Sequence, residues 1–280
     1  MQPYLICLDL DGTLLNDEKV ITPYTKKVLK VLQQQGHKLM IATGRPYRAS
    51  QIYYHELNMD TPIVNFNGAY VHHPKNNTFE EKHEVLDLNL ATSIIQSLKD
   101  YGVNNMIAEI KDHVFIDNFD QKLFDGFSMG NPKIETGNLL QNLNTSPTSI
   151  LVEAEEVMIP RIKQMLSSFY TESIEHRRWG SPFPVIEIVG KNINKARGIE
   201  TSKSYLNIEQ QNIIAFGDED NDLEMIKYAE HGIAMGNGLT DLKNVANATT
   251  YTNNEDGVAH YLNDFFKLNI KQEQYINTNM

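Results

Sequence analysis

Two aspartates, Asp9 and Asp11, stand two residues apart where an apolar run ends and a turn begins. The run, residues 4–8 (YLICL), has no alternation of polar and apolar side chains, which is typical of a strand buried on both faces of a parallel sheet. In open α/β sheets, ligands bind just beyond the carboxyl ends of the strands. We therefore expect Asp9 and Asp11 to project into a functional crevice, with Gly12 allowing the chain to turn close beside it.

A lone Asp-x-Asp pair is also a common strand-end turn with solvated acids, so its meaning depends on the rest of the chain. Two further apolar runs, residues 38–42 and 212–216, also end in polar residues. The first of these runs is followed by the hydroxyl of Thr43 and the main-chain amide of Gly44. The second is followed by the acids Asp218 and Asp222 and the side-chain amide of Asn221, and Lys195, between the two runs, adds a cation.

These motifs, in this order, resemble those of the haloacid dehalogenase-like hydrolases, and specifically the Cof-type phosphatases. The resemblance covers nearly the whole chain and includes secondary signatures at residues 67–69 (NGA), 234–238 (AMGNG) and 256–259 (DGVA). It implies an α/β fold with a Rossmann-like parallel-sheet core. It also implies an inserted α+β cap of the C2B type, which closes over the active site and sets substrate choice.

The texture of the sequence changes near residue 83. Before that point strand and helix patterns alternate, which predicts a right-handed parallel α/β sheet. Residues 83–189 mix helices with alternating strands, which predicts an α+β insert whose sheet has one solvated face; within it, residues 131–149 are predicted to be loop. We expect a catalytic core formed by residues 1–82 and 190–280 and a cap formed by residues 83–189.

Hydrolysis of a phosphate monoester needs an oxygen nucleophile, a proton donor for the leaving alkoxide and positive charge on the phosphoryl group. Asp9 is the candidate nucleophile because it stands closest to the strand end, and it would form an aspartyl-phosphate. Asp11 is placed to protonate the leaving oxygen and then to activate water. The resemblance implies the same two roles for the two aspartates.

Four acids would crowd this crevice, and their mutual repulsion would raise their pKa values unless a cation offset it. Oxygen-only ligands suit Mg²⁺. We expect Asp9 and Asp218 to bind the ion through their side chains and Asp222 to be a ligand or a neighbouring acid. By the resemblance, Asp11 would bind it through its main-chain carbonyl.

Thr43, Gly44 and Lys195 would bind the phosphoryl oxygens, and Asn221 could donate to the phosphate or position Asp11. Singly these residues have ordinary alternatives, since threonines and aspartates often cap helices and most lysines are solvated. Cof-type relatives more often have glycine directly after the lysine, whereas here two residues intervene before Gly198. Outside these motifs, Asn67 is expected to be a turn residue that could touch substrate, and Glu187 could face the cleft.

The bulk composition narrows the partners. The formal charge is −11, with no basic run, which argues against nucleic acid or an anionic membrane as a partner. The single cysteine, Cys7, allows no intrachain disulfide and is expected to be a small apolar residue of the first strand. The sequence shows neither a secretory signal nor a segment of ~20 apolar residues, so we expect a cytoplasmic protein.

The sequence therefore predicts a Mg²⁺-dependent phosphatase of small phosphorylated metabolites, with sugar phosphates as the first candidates. A phosphomutase or phosphotransferase is a second interpretation, in which a bound hydroxyl intercepts the aspartyl-phosphate before water does. A non-catalytic metabolite-binding regulator is a third. The intact acids, Thr43 and Lys195 argue against it, because a binding module needs no acid–base aspartate beside a nucleophile.

Overall fold

The computed structural model describes residues 2–178 and 184–272. These residues form two compact units. The first unit comprises the described residues within Met1–Ala42, Tyr53–Ile63 and Ile199–Met280, and the second comprises those within Thr43–Ile52 and Val64–Gly198. The core and cap boundaries expected from the sequence, at residues 83 and 189, stay a prediction of how the chain divides functionally.

The described chain contains fourteen strands: β1 (Leu5–Leu8), β2 (Lys38–Ile41), β3 (Ile63–Asn65), β4 (Tyr70–His72), β5 (Lys82–His83), β6 (Asn105–Ile110), β7 (His113–Ile116), β8 (Ile134–Thr136), β9 (Ser149–Glu153), β10 (Ile174–Arg178), β11 (Val185–Gly190), β12 (Ile213–Gly217), β13 (His231–Ala234) and β14 (Ala248–Thr249).

Ten α-helices alternate with these strands: α1 (Pro23–Gln34), α2 (Tyr47–Glu56), α3 (Leu88–Asp100), α4 (Gln121–Phe127), α5 (Leu139–Asn142), α6 (Ile159–Tyr170), α7 (Lys195–Leu206), α8 (Leu223–Tyr228), α9 (Thr240–Val245) and α10 (Gly257–Phe265). Short 3-10 turns lie at Phe66–Gly68, Glu156–Met158, Gln210–Asn212, Asp220–Asp222 and Asn253–Glu255.

The first unit is built on a five-stranded parallel sheet in the order β14-β13-β12-β1-β2. Strand β1 lies between β12 and β2, with Leu8 opposite Phe216 on β12 and Ile41 on β2. All four residues of β1 are buried, including Cys7, whose burial raises its pKa. The predicted α/β core and the three strands predicted to end in polar residues are confirmed.

The entry into α1 follows from its sequence. The Thr22 hydroxyl accepts a hydrogen bond from the Thr25 amide, and Pro23 occupies the first turn, where a missing N–H costs nothing. Val28, Leu29 and Leu32 recur at helical spacing and are buried. The start of α1 and its buried stripe thus both follow from the residues of the helix itself.

The second unit is built on a six-stranded mixed sheet in the order β10-β11-β9-β6-β7-β8. All neighbouring pairs are antiparallel except β7 and β8. One face buries Met106, Ile150 and Ile186 in a core shared with α3 and α6. A second sheet, β3-β4-β5, lies in the segment that follows α2. The α+β character expected of the insert is confirmed.

Two expectations for the insert are wrong. The opposite face of the large sheet is not simply solvated, because Ile107, Val114 and Leu151 are buried there against side chains of α4 and β8. The segment 131–149 is not all loop, because it contains β8 and the single-turn helix α5. β8 pairs with β7 through backbone hydrogen bonds, and side-chain periodicity does not reveal such a short edge strand.

Asp256, which opens the DGVA signature, serves the fold. Its carboxylate accepts hydrogen bonds from the hydroxyls of Thr22 and Thr25 at the start of α1, the second over 2.9 Å, and from the side chain of Gln272. Its backbone is left-handed, with φ of 57°. The next residue, Gly257, has no room for a side chain, because a Cβ would lie 2.2 Å from the Tyr251 carbonyl oxygen. This signature thus joins α10 to α1.

No helix in the part of the chain that the structure describes combines the length and the apolar content that a bilayer crossing requires.

Replacing Asp256 with alanine should lower the free energy of unfolding by about 2–3 kcal/mol, because two hydroxyl bonds to a carboxylate are lost and alanine resists a left-handed backbone. Chemical denaturation of wild type and variant measures the difference. Asp60→Ala, which removes an exposed acid, is the matched control and should change stability by less than about 0.5 kcal/mol. Equal effects of the two substitutions would contradict the structural role of Asp256.

Candidate active site

The ends of β1 and β12 bring two acids to the same edge of the parallel sheet. Asp9 directly follows β1, and its amide donates to the Phe216 carbonyl oxygen over 3.2 Å, which continues the strand pairing by one residue. Asp218 directly follows β12. Because parallel neighbours end at the same edge, acids separated by more than two hundred residues of chain are placed together.

A third acid completes this cluster. Asp9, Asp218 and Asp222 are all buried, and each offers a carboxylate oxygen within 4.8 Å of the others. One oxygen of Asp222 accepts from the amides of Asp218 and Glu219, at 2.9 and 3.1 Å. Gly217 leaves room for this arrangement, since a Cβ there would lie 2.5 Å from the Asp222 side chain. We call these three residues the acid cluster.

The acid cluster is electrostatically costly without a cation. Burial, together with the negative charges of Asp9 and Asp222, raises the pKa of Asp218 to about 8, although the Thr13 hydroxyl acts in the opposite direction. That hydroxyl donates to Asp218 over 2.9 Å. Buried carboxylates at this spacing, with oxygen as the only donor atom, match a hard divalent cation, whose charge would remove the repulsion. The residues present therefore fit a metal ion.

Asp11 is much more exposed to solvent than the three residues of the acid cluster. Its side chain is 43% exposed and pairs with Lys19 over 2.8 Å, in a contact that is itself open to solvent. Exposed ion pairs contribute little, about 0–1 kcal/mol, so Asp11 can exchange this partner for another at small cost. The carboxylate predicted to move protons is thus the accessible one, and the predicted metal ligands are buried.

The turn after Asp11 is fixed from two sides. Gly12 has φ of 74°, and a Cβ there would lie 2.2 Å from an Asp218 carboxylate oxygen. Its carbonyl oxygen accepts from the Asn237 side chain over 2.8 Å, and Asn237 in turn accepts from the amide of Asn253. The AMGNG signature therefore supports the turn that carries Asp11.

Asn221 lies in the 3-10 turn Asp220–Asp222 and is partly exposed. The turn is stabilised by a capping box, in which the side chains of Glu219 and Asp222 each accept a hydrogen bond from the other residue's backbone N–H. Asp222 precedes α8 as expected, but its side chain makes no capping bond to that helix and belongs to the acid cluster instead. The role of Asn221 as a phosphate donor stays a prediction.

The second unit holds the other predicted site residues. Thr43 is buried, and its hydroxyl accepts from the Arg45 amide over 3.1 Å. Lys195 begins α7 and is fully buried, so it is not one of the solvated surface lysines. The backbone of Gly44 lies against the Asn67 side chain, to which a Cβ would approach within 3.2 Å. Whether Thr43, Gly44 and Lys195 bind phosphate stays a prediction.

Glu187 and Asn67 form a buried hydrogen bond of 2.7 Å in the second unit. Burial, together with the negative charge of the neighbouring Glu109, raises the pKa of Glu187 to a net value of about 7. The charges of Arg177 and Lys195 and the bond from Asn67 lower it.

Thr13 and Asn237 were not among the residues singled out from the sequence. Thr13 belongs to the same turn as Asp11, but only the tertiary structure shows its bond to Asp218. Asn237 lies inside the AMGNG signature, which gives no indication of its hydrogen-bond partner. Both make contacts between segments more than two hundred residues apart, which single-sequence patterns do not report.

Comparisons with known proteins agree with this geometry. The family model for haloacid dehalogenase-like hydrolases matches residues 6–262. The chain is 45% identical to the 5-amino-6-(5-phospho-D-ribitylamino)uracil phosphatase YitU of Bacillus subtilis, over 95% of this chain and 99% of that one. It is 28% identical to a second Bacillus subtilis phosphatase with that activity in its name, YcsE, over 91% and 92%.

Among solved structures, a haloacid dehalogenase-like hydrolase from Bacteroides thetaiotaomicron superposes with a TM-score of 0.82 at 26% identity, covering 95% of this chain and all of the other. The resemblance drawn from the motifs is thereby confirmed over nearly the whole length. The chain belongs to the haloacid dehalogenase-like hydrolases, and like its full-length relatives it is a phosphatase that hydrolyses phosphoric monoesters.

Proposed function

We propose that this phosphatase uses Mg²⁺ and an aspartyl-phosphate at Asp9 to dephosphorylate 5-amino-6-(5-phospho-D-ribitylamino)uracil. The observation that carries the chemical part is the acid cluster at the ends of β1 and β12, three buried carboxylates within 4.8 Å of one another. The substrate part rests on the 45% identity to a phosphatase of that name, with both chains covered almost completely. Other sugar and polyol phosphates are the alternatives.

Asp9, Asp218 and Asp222 are the residues that would hold Mg²⁺, with the main-chain carbonyl of Asp11. When bound, the ion supplies charge that lets an anionic carboxylate approach an anionic phosphoryl group. Hard oxygen donors and the absence of nitrogen or sulfur from the acid cluster favour Mg²⁺ over softer metals.

The aspartates would divide the reaction into two displacements. In the first, an Asp9 carboxylate oxygen forms a bond to phosphorus while the bond from phosphorus to the ester oxygen breaks, and Asp11 gives its proton to the departing alkoxide. In the second, the Asp11 carboxylate takes a proton from a water molecule as its oxygen attacks the phosphorus. Inorganic phosphate leaves and the Asp9 carboxylate is restored.

Phosphate binding is assigned to Thr43, Gly44, Lys195 and Asn221 on their chemistry: a hydroxyl, a main-chain amide, an ammonium and a side-chain amide. The complete burial of Lys195 supports this, because a buried ammonium interacts with an anion far more strongly than a solvated one.

The ligand is proposed to be a small phosphorylated metabolite, and the net charge of −11 makes nucleic acid and anionic membranes poor partners. A cytoplasmic location is expected from the sequence. An overall negative charge also means that local groups, such as Lys195 and the bound cation, must attract the anionic substrate.

Asp9→Asn should lower the rate of phosphate release by on the order of 10³-fold or more, because an amide cannot act as the nucleophile. The side chain keeps its size, so thermal unfolding should show a folded protein. Phosphate release from the best substrate is the measurement, and Asp241→Asn on the exposed face of α9 is the matched control with wild-type activity. Turnover by Asp9→Asn at the wild-type rate would rule out the mechanism.

Excess EDTA should reduce phosphate release to background, and added Mg²⁺ should restore it. Asp218→Asn should raise the Mg²⁺ concentration needed for half-maximal activity by about tenfold or more, since one anionic ligand is lost. Titration of activity with Mg²⁺ measures this, with Asp241→Asn again as the control. Full activity in EDTA would exclude the proposed metal site.

Among a panel of phosphorylated metabolites, 5-amino-6-(5-phospho-D-ribitylamino)uracil should give the highest kcat/KM. Ribitol 5-phosphate separates recognition of the phosphorylated chain from recognition of the ring, and glucose 6-phosphate represents the sugar phosphates. A sugar phosphate that exceeds the uracil compound tenfold in kcat/KM would overturn the substrate and leave the phosphatase chemistry intact.

A further inference from the structure

Glu187 is a buried acid for which the reaction described above has no use. It lies on β11, on the sheet face that also carries Leu151 and Ile107 opposite it in register. Only 6% of its surface is exposed, and burying an ionisable group costs free energy unless hydrogen bonds or charges compensate it.

The first contact leads to Asn67. The Asn67 side-chain nitrogen donates to Glu187 over 2.7 Å, and both residues are buried. Asn67 stands in the 3-10 turn Phe66–Gly68 with φ of 55°, a conformation in which asparagine is one of the few tolerated residues. The hydrogen bond to Glu187 therefore helps to orient the Asn67 amide.

Asn67 in turn contacts two of the proposed phosphate-binding residues. Its main-chain N–H donates to the Thr43 carbonyl oxygen over 3.1 Å. Its side chain lies so close to Gly44 that a Cβ on that glycine would be 3.2 Å from the amide nitrogen. The turn thus forms one wall against residues 43 and 44.

The residue after Asn67 reaches the segment before Lys195. A Cβ on Gly68 would lie 2.3 Å from the Asn194 carbonyl oxygen, so the two backbones are in direct contact. Glu187 itself lies within the electrostatic reach of Lys195. The turn Phe66–Gly68 therefore stands between Thr43–Gly44 on one side and Asn194–Lys195 on the other, and Glu187 anchors it.

We propose that Glu187 is a positioning residue for phosphate binding. It acts through the Asn67 amide, which holds the turn Phe66–Gly68 against Thr43 and Gly44 on one side and Asn194 on the other. The inference rests on the proposed phosphate-binding role of Thr43, Gly44 and Lys195. It does not depend on the identity of the leaving group, because these contacts lead to residues proposed to bind the phosphoryl group and to the residue before Lys195.

Binding of inorganic phosphate in the presence of Mg²⁺, measured by isothermal titration calorimetry, tests this without turnover. Glu187→Ala should raise the Kd by about tenfold or more, since the buried hydrogen bond that orients the Asn67 amide is lost. Glu187→Gln keeps an oxygen acceptor for Asn67 and should stay within about threefold of wild type. Glu153→Ala is the matched control: it removes an acid of the same sheet that lies opposite Val185 and not opposite Glu187, and it should bind as wild type does.

A double-mutant cycle identifies the route of the effect. Asn67→Gly removes the amide and tolerates the positive φ. In that background, Glu187→Ala should change the Kd by less than about twofold, because its partner is already gone. If the two substitutions instead raised the Kd independently, so that their fold-changes multiplied in the double variant, Glu187 would act without Asn67 and the proposal would be overturned. A Glu187→Ala protein that loses thermal stability and keeps its phosphate affinity would also overturn it.

The outcomes separate this inference from the proposed function. If phosphate binding follows the pattern above while the uracil compound is not hydrolysed, the substrate is wrong and the positioning role stands. If the uracil compound is hydrolysed and Glu187→Ala binds phosphate as wild type does, only the positioning role fails. No binding of phosphate to the wild type would overturn the inference on its own.

Discussion

The mutual repulsion of Asp9, Asp218 and Asp222 is the constraint on which the rest of the first unit depends. Three buried carboxylates at this spacing are held together by two parallel strands, by the Thr13 hydroxyl and by two amides directed at Asp222. None of these donors carries a positive charge. The protein therefore builds a buried anionic site whose charge and oxygen donors suit a divalent cation, and favourable interactions elsewhere in the fold offset the repulsion.

Several features of the fold and of the acid cluster were predictable because they depend on the residues of one short segment. Unbroken apolar runs mark β1, β2 and β12, and the polar residues that follow them must meet at one edge because the strands are parallel. Asp9 and Asp218 could be named for this reason. The start of α1 was equally local, since Thr22 and Pro23 are helix signals in themselves.

The remaining features depend on contacts that no local pattern contains. Nothing in the sequence says that Asn237 binds the Gly12 carbonyl or that Asp256 serves α1, because the partners come from distant segments. The alternating pattern of β11 indicated only that Glu187 could face the cleft, and its hydrogen bond to Asn67 is visible only in the folded structure. Strand β8 was not predicted, because a three-residue edge strand is recognised only by its hydrogen bonds to a neighbouring strand.

The pairing of β1 with β12 also sets an order of events during synthesis. Thr13 and Asp218, which meet in the finished site, are separated by 205 residues. At the usual pace of translation, roughly 10–40 s pass between their emergence from the ribosome. Over that interval the apolar strand β1 has β2 on one side and no native neighbour on the other. The nascent chain thus carries an open, hydrophobic strand edge, which is the surface that chaperones shield and aggregates recruit.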